Sequence, residues 1–189
     1  MNIPVSPRQP EGGPNSLLSK IPSIEDEPLD MLVACHGRVR AFTETLRKLA
    51  RHLRQNGADA EAATAATNIL RYFDLAAPRH HQDEEDDLFP LLLTCAPDDA
   101  LLARQIAALK SDHLQMGEPW LQVRERLLLV RDGGLADLLS DGLADRFADL
   151  YQAHAGREEQ TVFPRAAELL DAARLQWLGQ RMSARRRDA

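Results

Sequence analysis

His80-His81-Gln82-Asp83-Glu84-Glu85-Asp86-Asp87-Leu88-Phe89-Pro90 recurs, worn but legible, as His154-Ala155-Gly156-Arg157-Glu158-Glu159-Gln160-Thr161-Val162-Phe163-Pro164. Both copies read His-x-x-x-Glu-Glu-x-x-(Leu/Val)-Phe-Pro, at a constant offset of 74 residues that also pairs Phe73 with Phe147. On an α-helix, residues four apart share a face one turn apart. Each copy therefore aims one imidazole and one carboxylate at a common point. Two such helices, face to face, supply two His and two Glu to one cavity, the outline of a metal site.

Working outward, the chain around these copies reads as helices. Leu29, Leu32, Val33, His36, Val39, Phe42, Leu46, Leu49 and Leu53 recur at three- and four-residue steps, which predicts a first helix over about 25–56 that stops at Asn56-Gly57. Asp59 is an N-cap for a second helix to about Leu93, kinked at Pro78. Pro97-Asp98-Asp99 opens a third, with Ile106, Leu109, His113, Met116, Trp120 and Val123 on its face and a second kink at Pro119, closed by Asp132-Gly133-Gly134. A fourth spans about 135–170, with Leu139, Leu143, Phe147, Tyr151, His154 and Glu158 inward, and residues 171–185 form a short fifth helix. Strand signals are nearly absent. The expected fold is all-α: an up-down-up-down four-helix bundle over 25–185, with the short C-terminal fifth helix. Residues 1–24 hold five prolines and Gly12-Gly13, and read as an irregular N-terminal arm.

The lone histidines support the bundle independently. His36 and His80 lie 21 and 23 residues from Gly57, and His113 and His154 lie 20 and 21 from Gly133. In antiparallel neighbours, all four fall at one level.

The 189-residue chain is 44% hydrophobic and 28% charged, as a globular domain is, and its net charge of −6 argues against nucleic acid as the main partner. The basic tail Arg185-Arg186-Arg187 reads as solvated. Two cysteines suggest no disulfide framework and fit a reducing compartment. No signal peptide is evident, and no stretch reaches the roughly 18 apolar residues that cross a bilayer, so the expected location is cytoplasmic.

His36, His80, His113, His154, Glu84 and Glu158, with His81 beside them, form a nitrogen and oxygen donor set without thiolate. Such a set suits iron, manganese or zinc. Six donors exceed one tetrahedral ion and suit two metals bridged by Glu84 and Glu158. A vacant coordination position is where dioxygen, peroxide or nitric oxide would bind. The neighbours take plainer readings. Asp83 to Asp87 form a solvated face apart from Glu84, with Glu85 a lesser candidate, and Glu159 and His52 are surface residues. Cys35, Tyr151, Trp120 and Trp177 fill the core, and the Phe-Pro pairs shape the helices.

These features resemble the hemerythrin-like (HHE cation-binding) family, four-helix bundles that hold a non-haem di-iron centre. The matching residues are His36, His80-x-x-x-Glu84 with Leu-Phe-Pro, His113, and His154-x-x-x-Glu158 with Val-Phe-Pro, within roughly 25–182. The resemblance implies two iron ions, with zinc or manganese as substitutes. It implies small ligands such as dioxygen, peroxide or nitric oxide; the charge and the lack of a long apolar stretch add the expectation of no nucleic acid and no membrane partner, and a homodimer is a further expectation. Oxygen-carrying hemerythrins use a His pair spaced by four on the third helix, where this chain has Leu109 and Gly117 around His113. They also carry an aspartate where Glu159 stands. One imidazole is missing unless His81 substitutes, which points to sensing or redox turnover over oxygen carriage. Three classes remain: a di-iron protein that senses dioxygen, nitric oxide or iron and redox state; a di-iron redox enzyme consuming peroxide or repairing iron centres; and a structural helical module with a single metal.

Overall fold

The computed structural model describes residues 27–138 and 141–187. The expected arm and the inward Leu139 lie outside that set. Among the described residues every regular element is a helix.

α1 spans Pro28–Asn56 and ends at Gly57. The second rod is continuous from Ala60 to Cys95 but not uniform. It comprises α2 (Ala60–Arg71), a wide π turn π1 (Tyr72–Ala76), α3 (Ala77–Gln82), a second wide turn π2 (Asp83–Leu88) and α4 (Phe89–Cys95). α5 (Ala100–Arg131) is the third rod. The fourth joins α6 (Leu143–Arg157), π3 (Glu158–Val162) and α7 (Phe163–Leu169), and α8 (Ala172–Arg187) follows. The caps follow the sequence: Asp59 accepts from the Ala62 amide and Asp99 from the Leu102 amide.

The three wide turns share a cause. Each closes with an amide bonding five residues back, Ala77 to Tyr72, Phe89 to Glu84 and Phe163 to Glu158, and each is followed at once by Pro78, Pro90 or Pro164. Proline has no N–H to give the carbonyl four residues back, and its ring collides with it. Opening the turn by one residue relieves both. The kink expected at Pro78 is thus a widened turn. Pro119 sits inside an unbroken α5, so a proline alone does not suffice.

The fourth rod begins eight residues later than expected. Gly133 and Gly142 adopt left-handed φ of 83° and 65°, a conformation that ends a helix and that side chains with a Cβ resist. Asp141 then accepts from the Leu143 amide to start α6. Trp177, expected in the core, is 44% exposed, and Trp120 is half-buried with its indole N–H donated to Asp74. His52 is no free surface residue: it pairs at 3.0 Å with the capping Asp59.

Partner positions run in opposite order along neighbouring rods. On α1, His36 meets Glu158 and Arg47 meets Asp145. Between α2–α4 and α5, Asp74 meets Arg124 and Glu85 meets His113. Between α5 and α6, Asp112 meets His154 and Arg126 meets Asp141. The apolar interior divides into two clusters. One holds Val39, Phe73, Met116, Phe147 and Tyr151, the other Leu32, Leu88, Phe89, Leu109, Val162 and Phe163. Between these two sets, on every one of the four rods, lies a clustered His or Glu.

Candidate metal centre

His36 comes from α1, His80 and His81 from α3, Glu84 from π2, His113 from α5, His154 from α6 and Glu158 from π3. The structure gathers all seven into one layer. His36, His80, Glu84 and Glu158 bring ligand-type atoms within 4.8 Å of one another, and so do Glu84, His113, His154 and Glu158. The two groups share both carboxylates. His81 joins His113 and His154 in a third such group, its ring stacked on His113 at 3.9 Å. A third imidazole thus reaches the α5 side from α3, although Leu109 and Gly117 carry none.

Within each repeat the four-residue spacing works as expected, with His80 Nε2 3.4 Å from Glu84 and His154 Nε2 3.2 Å from Glu158. Glu158 also lies 3.0 Å from His36 Nε2, and Glu84 3.6 Å from His113 Nε2. Both carboxylates are fully buried.

Outside the layer, carboxylates hold the far sides of three imidazoles. His36 Nδ1 lies 2.9 Å from Glu159, His113 Nδ1 2.6 Å from Glu85, and His154 Nδ1 3.3 Å from Asp112. Arg40 fixes Glu159 from both guanidinium nitrogens, and Arg157 pairs with Asp112. A carboxylate on Nδ1 selects the tautomer whose Nε2 is a free lone pair. The Nε2 atoms of His113 and His154 face each other at 3.0 Å. With both Nδ1–H groups committed outward, two lone pairs meet there, which is repulsive unless a cation or proton lies between them.

The rest of the layer makes the same demand. His36 Nε2, both nitrogens of His80 and all four oxygens of Glu84 and Glu158 are buried without a hydrogen-bond partner. Leaving even one such group unpaired costs about 1–3 kcal/mol, and a cation satisfies them together. The donor set therefore fits a bound metal. Electrostatics agree: burial and the neighbouring His36 pull His80 down to about 3, so it is neutral with one ring nitrogen free to act as a donor to a cation. Burial and His113 likewise pull His81 well below its usual range. Burial, reinforced by Glu158, pushes Glu84 well above the carboxylate range. Burial presses Glu158 the same way, and it is held low only where the His154 and His36 rings turn a proton towards it, a demand that competes with their outward Nδ1–H contacts and that a cation would replace. Two carboxylates facing each other in an apolar interior do not both stay ionised without added positive charge.

Three sequence readings are corrected. Asp83 and Asp87 are not on a solvated face: they are 0% and 2% exposed. The basic tail is not free either. Arg185 pairs with Asp83, and at 2.6 Å with Asp87; Arg186 reaches Asp83 at 2.6 Å and Arg181 reaches Asp87 at 3.0 Å. Burial still pushes the Asp83 carboxyl up against the pull of Arg186 and Arg185. Glu85 and Glu159, read as surface or marginal, are the outer partners of His113 and His36. The signal was present: both repeats read Glu-Glu, and in each the second Glu supports a histidine on a neighbouring rod. Asp112, directly before His113, carried no comparable signal. Cys35 is buried, and burial pushes its thiol up. Tyr151 lies stacked 6.2 Å from His81, with its phenol also pushed up by burial.

Two comparisons with known proteins agree with this geometry. The family profile described as Hemerythrin HHE cation binding domain matches residues 27–166. An uncharacterized protein of Haemophilus influenzae is 35% identical over 161 residues, covering 85% of this chain and 91% of that relative. The chain belongs to the hemerythrin HHE cation-binding domain family, and membership implies a bound metal cation. No helix among the described residues is long and apolar enough to cross a membrane.

Proposed function

We propose that this member of the hemerythrin HHE family is a non-haem di-iron protein that binds or senses dioxygen, nitric oxide or the cell's iron and redox state. One observation carries the reading: two buried donor groups share Glu84 and Glu158, whose four oxygens have no hydrogen-bond partner. One ion would be held by His36 and His80, the other by His113 and His154 with His81, and the two carboxylates would bridge them. When bound, the pair would supply reversible one-electron chemistry and a place for a small ligand.

The protein residues do the rest. Glu159, Glu85 and Asp112 orient His36, His113 and His154 and keep their Nε2 atoms unprotonated. The two apolar clusters exclude water above and below the layer. The opposed contact order of neighbouring rods supports an up-down-up-down bundle over 25–185, which places the lone His of α1 and α5 level with the repeats. The thiol usage supports a cytoplasmic location.

The test is metal content and optical spectrum on protein prepared without oxygen, then exposed to air. Two irons per chain with near-ultraviolet bands rising on oxidation are expected. One zinc per chain, with a melting temperature indifferent to iron, would overturn the proposal in favour of a structural module.

A further inference from the structure

Two adjoining hollows lie between α1, the second rod and α8, and none of the clustered His or Glu lines them. One, about 330 Å³, runs from Phe42 past Arg71 and Leu75 to Arg79. The other, about 260 Å³, runs from Cys35 and Arg38 to Arg79 and Arg186. Tyr72, Ala76 and Arg79 line both, so the two make one cleft with π1 as its floor.

Its charge is out of keeping with the chain. In a protein of net charge −6, four arginines line this cleft and no carboxylate does. Most arginines on this chain are spent on carboxylates, Arg40, Arg47, Arg124, Arg165 and Arg185 among them. Arg38, Arg71 and Arg79 have no carboxylate or hydrogen-bond partner among the described residues. Like charges gathered without counter-charge repel, and a bound anion relieves them. Arg186 donates to Asp83 from one nitrogen and to the Met182 carbonyl from another, which fixes its position at the cleft's end. One turn along the same two walls the lining becomes apolar: Leu75, four residues before Arg79, is 51% exposed, and half-buried Phe42, four residues after Arg38, stacks on Tyr72 at 4.4 Å.

The wide turn π1 shapes the floor of the cleft. π2 and π3 each place a glutamate in the histidine layer, whereas π1 contributes nothing to it. Pro78 accounts for that turn, and what it adds here is position: of the three, π1 is the one that lines the cleft.

We propose that this cleft binds a small phosphate monoester with a flat apolar body, its phosphoryl group held by Arg38 and Arg79 and its body laid against Phe42 and Leu75. A phosphoryl dianion matches this much positive charge better than a single carboxylate does, and the guanidinium fork suits its oxygens. The volume admits a small molecule and no more. The site stands independently of what the histidine layer holds.

The test is calorimetric titration of the full chain with phenyl phosphate, benzoate and inorganic phosphate, with and without metal loaded. One phenyl phosphate per chain is expected, about tenfold tighter than either other probe and weakening as salt is raised. Arg79→Gln and Arg38→Gln should each weaken it about tenfold, while Arg104→Gln, an exposed arginine on α5, should not. Absence of saturable binding to 10 mM or so, or equal affinity in all three variants, would overturn the site. Equal affinity for inorganic phosphate would overturn the apolar half, and equal affinity for benzoate the phosphoryl assignment.

Discussion

The two copies of the repeat, 80–90 and 154–164, do the same work through the residues they share and different work through those they do not. Inside, each offers one imidazole, one buried glutamate and a second glutamate that supports a histidine on another rod. Beyond those shared residues the copies differ at six matched positions, three of which change the local chemistry. Where the first has His81, Asp83 and Asp87, the second has Ala155, Arg157 and Thr161. The first copy carries an extra imidazole and two buried aspartates, which α8 covers with Arg181, Arg185 and Arg186. The second copy needs no such cover, since Arg157 is half-exposed and Thr161 simply bonds back to the Arg157 carbonyl. The family match ends at residue 166, before α8 begins. The helix that neutralises the first copy therefore lies beyond the matched region, and the difference teaches that the copies share their inward donors while each has its own local support.

The largest effect should come from what the copies share. Glu84→Ala with Glu158→Ala should abolish binding of both metals while helical circular dichroism persists. Stoichiometric metal in that double variant would end the bridging assignment.

Next comes what they do not share. Arg185→Ala leaves two buried aspartates short of a partner and should cost about 3 kcal/mol in urea unfolding. Arg157→Ala removes a half-exposed guanidinium from the buried Asp112, which keeps its His154 contact, and should cost less, about 1–2 kcal/mol. Equal losses would mean that α8 is a bystander.

The outer glutamates sharpen the symmetry. Glu85→Gln and Glu159→Gln should each lower metal affinity about 10–100-fold in competition with a chelator. His81→Ala has no counterpart in the second copy and should weaken the His113–His154 ion selectively, leaving one tight and one weak metal. Loss of both ions together would show that His81 acts on the layer as a whole. The smallest effect belongs to Thr161→Ala, within about 0.5 kcal/mol of the parent. A cost like that of Arg185→Ala would break the claim that the second copy needs no cover.

Much of this was legible from local pattern. The caps at Asp59 and Asp99, the stops at Gly57 and Gly133, and the gathering of His36, His80, His113 and His154 all follow from spacing within single rods. The fourth rod's late start was not, because a left-handed Gly142 is indistinguishable by pattern from a glycine tolerated inside a helix. Widened turns were half-legible: proline announced a disturbance, but Pro119 shows that it does not dictate its form.

What the sequence by itself determined is the helical class and the inward layer, because a four-residue His-to-Glu spacing orients both side chains whatever else the chain does. Only the tertiary structure decided the charges around that layer. Asp83 and Asp87 look like any solvated acidic run, and Arg185 and Arg186 like any basic tail, until the fold brings them together across separations of 98 to 103 residues. Burial makes a charge depend on its partner, and no local pattern names a partner that far away.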